Sequence, residues 1–157
     1  MNALPITGED AIADLTALID AQAAVYDDML AVARALPGTR FLAVGRGTET
    51  LAALPNVTAL GPRQDMPALY AAADVALSTS AFGEGFPNVV AEAMAAGLPV
   101  VATDVGDSSR IVGETGAIVP PLDVAAMTDA VRRLTSEARS EEHTSELQSP
   151  YVISYAV

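Results

Sequence analysis

Short, largely apolar runs recur along this chain, each closed by a turn-forming segment, and that alternation limits the possible folds more than any other feature. Phe41-Leu42-Ala43-Val44 runs into Gly45-Arg46-Gly47, and Val57–Leu60 runs into Gly61-Pro62-Arg63. Asp74–Thr79, Val100–Thr103 and Ala117–Val119 follow the same pattern. Runs this short, without polar alternation, suit strands covered on both faces, as in a parallel sheet. The segments between them have helical spacing: Met66–Ala73, Asn88–Ala96 and Val124–Thr135, with a brief helical piece near Thr50–Leu54. Gly97, with Pro99 beyond it, is placed to stop the second of these helices. Upstream, Ile12, Leu15, Leu18 and Ile19, then Val25, Met29, Val32 and Leu36, predict a helical lead-in over residues 9–36. It falls into two pieces, Glu9 to about Ala21 and Ala23 to Leu36, and Pro37-Gly38 ends it. The expected fold class is α/β, a Rossmann-like parallel sheet with helices on both faces.

A parallel sheet of this kind binds ligands beyond the carboxyl ends of its strands, near a switch in strand order. The unusual polar segments all follow strands: Gly45–Gly47, Gly61–Asp65, Ser80–Asn88 and Asp104–Arg110. The richest is Gly83-Glu84-Gly85-Phe86-Pro87-Asn88-Val89-Val90-Ala91-Glu92, a glycine-proline loop entering a helix. Such a loop presents backbone N–H groups and a positive helix end to an anion, with Glu84 before that end and Glu92 inside the helix. A phosphate flanked by hydroxyl-rich groups suits it, and a nucleotide sugar is the obvious candidate. The same acidic pair, taken alone, also fits a solvated helix surface. Gly45-Arg46-Gly47 fits a plain turn as well as a ligand loop. Asp104 and Asp107 resemble paired metal ligands only superficially and fit loop and cap positions better.

Composition removes several function classes. At 157 residues the chain is one domain by length, and 51% of it is apolar, which argues against general disorder. A formal charge of −12 argues against nucleic acid, and no basic face suggests anionic lipid, so membrane contact is left open. There is no cysteine, hence no disulfide and no thiolate metal site. The start, Met1-Asn2-Ala3-Leu4-Pro5, lacks the basic and apolar regions of a signal peptide. The expected localisation is the cytoplasm of a bacterium. All eight basic residues are arginine, which together with heavy alanine use suggests GC-rich coding.

That composition changes near Arg139. From there the chain reads Arg-Ser-Glu-Glu-His-Thr-Ser-Glu-Leu-Gln-Ser-Pro-Tyr-Val-Ile-Ser-Tyr-Ala-Val, with the sole histidine, His143. The run Arg139–Ser149 resembles the conceptual translation of a common sequencing-library adapter. Native sequence is therefore expected to end near Ala138, leaving 139–157 as a non-native, disordered tail. A native disordered tail is the alternative.

From about Phe41 to Thr135 a set of ordered motifs carries a family resemblance. They are Val44-Gly45-Arg46-Gly47, Leu60-Gly61-Pro62-Arg63-Gln64-Asp65-Met66-Pro67, Leu69-Tyr70-Ala71-Ala72-Ala73-Asp74-Val75, Gly83–Asn88, and Glu92 through Gly106. In this order and spacing they resemble the C-terminal, donor-binding domain of a family 4 retaining glycosyltransferase of the GT-B fold. The resemblance implies residues 41–138 as a nucleotide-sugar binding domain, 1–40 as a helical lead-in, and the whole as an incomplete half of the GT-B fold. It implies that Glu92 holds the ribose hydroxyls, because an ionised carboxylate can accept from two vicinal hydroxyls at once. It implies Glu84 as the catalytic-site carboxylate facing the transferred hexose. Phe86, Pro87, Asn88 and Val89 would present backbone to sugar and diphosphate, where a helix end carries roughly +0.5 charge. Gly45 and Gly47 would allow close approach of the ligand. Arg63 would edge the base, or instead brace Asp65.

The resemblance further implies no resident cofactor and no catalytic metal, the nucleotide diphosphate sugar being the donor substrate. The partner would be an N-terminal acceptor domain of the same protein. Also absent by this comparison are an opening strand, a basic motif giving an arginine and a lysine to the diphosphate, and a returning C-terminal helix. Both ends look cut, with Met1 an internal start. The expected function is hexose transfer to an unknown acceptor in polysaccharide or glycolipid synthesis. A non-catalytic nucleotide-sugar binding fragment is the main alternative. A GT-B-fold sugar epimerase or phosphorylase, or a flavodoxin-like signalling domain, fits less well.

Overall fold

Six parallel strands form the centre of the molecule in the order β2-β1-β6-β3-β4-β5. The structure, a computed structural model, describes residues 26–51, 53–81, 85, 87–141 and 149–155. In chain order the elements are α1 (residues 26–35), β1 (Arg40–Val44), a 3-10 turn (Thr48–Thr50), β2 (Val57–Gly61) and α2 (Met66–Ala72). Then come β3 (Val75–Ser78), α3 (Asn88–Ala95), β4 (Val100–Thr103), α4 (Ser108–Val112), β5 (Ala117–Val119), α5 (Val124–Glu141) and β6 (Tyr151–Tyr155). The five expected strands are all present within a residue or two of their expected ends. Of the expected lead-in helix, the part before residue 26 lies outside the described residues.

Side-chain alternation along the strands divides the core into two layers. Phe41, Ala43, Val75, Leu77, Val101, Val119 and Val152 face α1 and α5, meeting Met29, Val32, Met127, Val131 and Leu134. Val44, Ala76, Val100, Ala102 and Ile153 point the other way, toward Tyr70, Val90, Ala93 and Val112 from α2, α3 and α4. Burying one such aliphatic side chain contributes about 1.5–3 kcal/mol. The two-sided burial explains why these strands show no polar face in sequence.

The short helix α4 begins inside the polar segment 104–110, with Asp107 at its N-cap and Val112 buried against the sheet. One expectation needs correction, and it concerns the tail. Disorder over 139–157 does not hold for the described part: α5 continues to Glu141, and Tyr151–Tyr155 inserts as a strand between β1 and β3. Val152, Ile153 and Ser154 are buried there. The physical reason lies in the residues themselves. Tyr-Val-Ile-Ser-Tyr is aromatic and β-branched, the chemistry that fits a pleated, buried surface. The strand is anchored at its entry, where the Tyr151 N–H donates to Asp74 Oδ2 at 2.7 Å and Arg40 Nη1 donates to the Tyr151 hydroxyl at 2.6 Å.

The strand order places the switch point at β6. Chain progression runs outward from β1 to β2 on one side and from β3 through β4 to β5 on the other. Since all strands are parallel, every loop leaving a carboxyl end reaches one rim. Among the described residues no helix is long and apolar enough to cross a membrane.

Candidate functional site

The rim begins with two interlocked loops. After β1, Gly45 and Gly47 take φ values of 119° and 83°, a region that L side chains rarely adopt. Thr48 is fully buried behind them. Its hydroxyl donates to the Gly45 carbonyl at 2.8 Å and accepts the Gly61 N–H at 2.9 Å. The Gly45 N–H in turn donates to the Gly61 carbonyl at 2.9 Å, so the exits of β1 and β2 are tied to each other. The Tyr26 hydroxyl of α1 donates to the Arg46 carbonyl, pinning the loop from the other side. Burial, with Glu49 and Tyr155 nearby, pushes the Tyr26 phenol pKa up. The Arg46 side chain is exposed.

The loop after β2 carries Arg63, which makes a two-point contact with Asp65: Nε to Oδ1 at 2.8 Å and Nη2 to Oδ2 at 2.6 Å. That hydrogen-bonded pair raises the arginine pKa and lowers the aspartate's. Of the two roles open to Arg63 from sequence, bracing Asp65 is the one this geometry contains. Both groups remain exposed, so the pair contributes little to stability but holds the guanidinium plane in one orientation.

The loop from β3 to α3 packs against the loop after β4. Thr103 Oγ1 donates to the Ser80 carbonyl, and the Asp107 N–H donates to the Gly85 carbonyl at 3.1 Å. Gly83, Glu84 and Phe86 lie outside the described residues. Pro87 is buried and stands at the N-cap of α3, so among the described residues no side chain caps that end, and the first turn contains no acid. The Val90 N–H closes back to the Pro87 carbonyl at 3.1 Å. Asn88 is exposed and Val89 half-buried. An uncapped helix start at a sheet's carboxyl rim suits an anion. At its other end α3 closes with the hydrogen bonds of a Schellman motif: Leu98 N–H to Ala93 carbonyl at 3.0 Å and Gly97 N–H to Met94 carbonyl at 2.9 Å, with Gly97 at φ 84°.

Glu92 is exposed one turn beyond Asn88, and its Oε2 accepts a hydrogen bond from the Tyr70 hydroxyl at 3.3 Å. Tyr70 is only 4% exposed. Burial first, and the Glu92 carboxylate second, hold its phenol pKa far above the ordinary value. A small apolar gap of about 10 Å³ lies between α3 and the sheet, with Tyr70, Ala76, Val90, Val100, Ile153 and Tyr155 among the residues around it.

The strands thus bring Gly45, Gly47, Arg63, Pro87, Asn88, Val89 and Glu92 to a single rim. Asp104 is exposed, with its N–H bonded to the Val119 carbonyl at 2.8 Å, and Asp107 meets Arg110 at 3.4 Å. Among the described residues no cluster of three or more His, Cys, Asp or Glu could hold a metal ion. Three contributors escaped the sequence reading: Thr48, Tyr70 and Tyr155. Tyr70 had a usable signal, since a tyrosine on the buried side of a helix needs a partner for its hydroxyl. Tyr155 was hidden because its segment had been set aside as tail.

The chain is similar to known proteins in sequence and in fold. Residues 12–137 match the family model described as glycosyl transferases group 1. An exopolysaccharide phosphotransferase of Streptomyces coelicolor is 42% identical over 85 residues, 52% of this chain and 9% of that protein. A phosphatidyl-myo-inositol mannosyltransferase of Mycobacterium leprae is 38% identical over 114 residues, 62% of this chain and 30% of that protein. The chain therefore spans less than a third of either relative. The crystal structure of Anabaena Alr3699/HepE in complex with UDP-glucose superimposes with a TM-score of 0.51 at 22% identity, covering 72% of this chain and 44% of that one. At that identity the likeness speaks for the fold.

Proposed function

This chain belongs to the group 1 glycosyl transferases, and from that premise we propose that its carboxyl rim is the donor site of a hexosyltransferase that uses a nucleotide diphosphate sugar. The observation carrying the proposal is the convergence of the Gly45–Gly47 loop, the uncapped start of α3 and Glu92 at the switch in strand order. The UDP-glucose held by the Anabaena protein and the mannosyl transfer named for the Mycobacterium leprae relative support a donor of this class.

Each rim element has a chemical task in this reading. The diphosphate sits at the start of α3, where the backbone dipoles stabilise charge that grows as the glycosidic bond breaks. Glu92 accepts hydrogen bonds from the ribose hydroxyls, and Glu84 from hydroxyls of the hexose. Arg63, held flat by Asp65, borders the base. The acceptor attacks from the face the leaving group vacates, which retains the anomeric configuration. No metal takes part in this scheme.

The same reading separates binding from turnover. Two of the three rim arginines among the described residues, Arg63 and Arg110, are already paired with aspartates. We propose that the 157-residue chain binds donor but does not transfer sugar, the acceptor side belonging to another domain. Calorimetry with UDP-glucose and GDP-mannose, beside a transfer assay with simple glycoside acceptors, tests both parts. Saturable binding of one donor without transfer is the expected result. Transfer by the purified chain would refute the second part, and failure of both donors to bind at millimolar concentration would refute the first.

A further inference from the structure

We infer that Tyr70 is a positioning residue for Glu92, fixing that carboxylate for contact with vicinal hydroxyls of a ribonucleotide; this rests on the donor-site reading above. Tyr70 comes from α2 and Glu92 from α3, so the contact joins two helices. The tyrosine ring is packed with Val90, Ala93 and Ile153 in the core layer beneath α3. Its hydroxyl donates to Glu92 Oε2 at 3.3 Å. An exposed glutamate on a helix otherwise samples several rotamers, and ordering it on binding costs affinity. A rigid phenol holding one oxygen removes part of that cost while leaving Oε1 free of this contact. The hydroxyl also gains, because a buried O–H without an acceptor is unfavourable. The carboxylate is thereby held by a group that belongs to the core and not to the mobile surface.

Four proteins test the inference: the full chain, Tyr70→Phe, Glu92→Gln and the double variant. Each is titrated with UDP and GDP and with their 2′,3′-dideoxy counterparts. Tyr70→Phe keeps the ring and should weaken binding of the preferred ribonucleotide about 3–10-fold. It should leave the dideoxy analogue unchanged and add no further loss in the Glu92→Gln background. Equal loss for both ligands, no loss, or a loss that persists with Glu92→Gln would overturn the positioning role. If Glu92→Gln itself leaves the preference for ribonucleotide over dideoxynucleotide unchanged, the ribose role of Glu92 fails, and the positioning role with it. Absence of any binding has the same consequence. A ligand-free measurement decides the contact separately: the Tyr70 hydroxyl proton should be visible by NMR in the full chain and shift on Glu92→Gln. An unshifted resonance would exclude the hydrogen bond.

Discussion

Gly116 shows how much a single atom can matter where two strands converge. It precedes β5, and a Cβ built on it would lie 2.2 Å from the Val100 carbonyl oxygen and 2.8 Å from Val112 Cγ1. The nearest obstacle is backbone, which cannot rotate aside as a side chain can. Gly116→Ala is therefore expected to cost about 3 kcal/mol by forcing β5 away from β4, at the upper end of ordinary overpacking penalties. Gly38, whose Cβ would meet nothing within 4 Å, provides the control, and Gly38→Ala should change little. Urea denaturation of the two variants measures the difference. In sequence Gly38 is marked by its place in the Pro37-Gly38 stop, whereas Gly116, the glycine needed for close approach, carries no such mark. The rim residues were more legible. Gly45, Gly47, Arg63, Pro87, Asn88, Val89 and Glu92 could be assigned to one edge because each follows a strand. That Arg63 lies against Asp65, and Glu92 against Tyr70, depended on side-chain directions that strand order does not specify.

At the scale of elements, the end of α1 is tied down by a side chain from elsewhere in the chain. Asn56 Nδ2 donates to the carbonyls of Ala33 at 2.9 Å, Leu36 at 3.1 Å and Thr39 at 2.9 Å. Helix ends leave carbonyls without intrahelical partners, and here one amide serves several of them. Asn56→Ala should destabilise the fold by about 1–3 kcal/mol. Asn56→Asp should be worse, since a carboxylate has no proton to donate and faces three carbonyl oxygens. If thermal melting ranks Asp above Ala, the capping account is wrong. The elements themselves were legible wherever periodicity and punctuation agreed, as in β4 and β5, whose bounds coincide with the apolar runs. α3 was legible for the same reason, with Gly97 and Pro99 marking its end. α4 was not, being a single short turn of helix inside a polar segment. α5 outlasts its expected end at Thr135, and the exposed Arg133–Glu137 pair, spaced i,i+4, spans that point.

For the whole molecule the decisive element is β6. It pairs with β1 over five residues and with β3 over three, and β1 and β3 have no pairing with each other. Without it the sheet is two separate pieces, β1-β2 and β3-β4-β5. Ile153 is 2% exposed in the layer beneath α3, and Ile153→Ala is expected to cost about 2–5 kcal/mol. Native-state hydrogen exchange should then show the amides of residues 152–154 protected to the level of global unfolding, and the variant should lower protection in β2 and β4 together. Fast exchange at 152–154, with the other strands still protected, would show that the sheet closes without this strand.

By itself, the amino-acid sequence determined the α/β class, the parallel sense of five strands and the edge on which the proposed ligand-binding groups gather. Those follow from local physics: run length, apolar periodicity and the turn chemistry of glycine and proline act over a few neighbouring residues. The tertiary structure alone decided which strand fills the centre and which side chains meet across loops. A slot between two unpaired strands selects for extended, β-branched chain able to satisfy its hydrogen bonds, wherever along the sequence that chain lies. Composition had marked Tyr151–Tyr155 as foreign to the domain; the open edges of β1 and β3 made it the middle of the sheet.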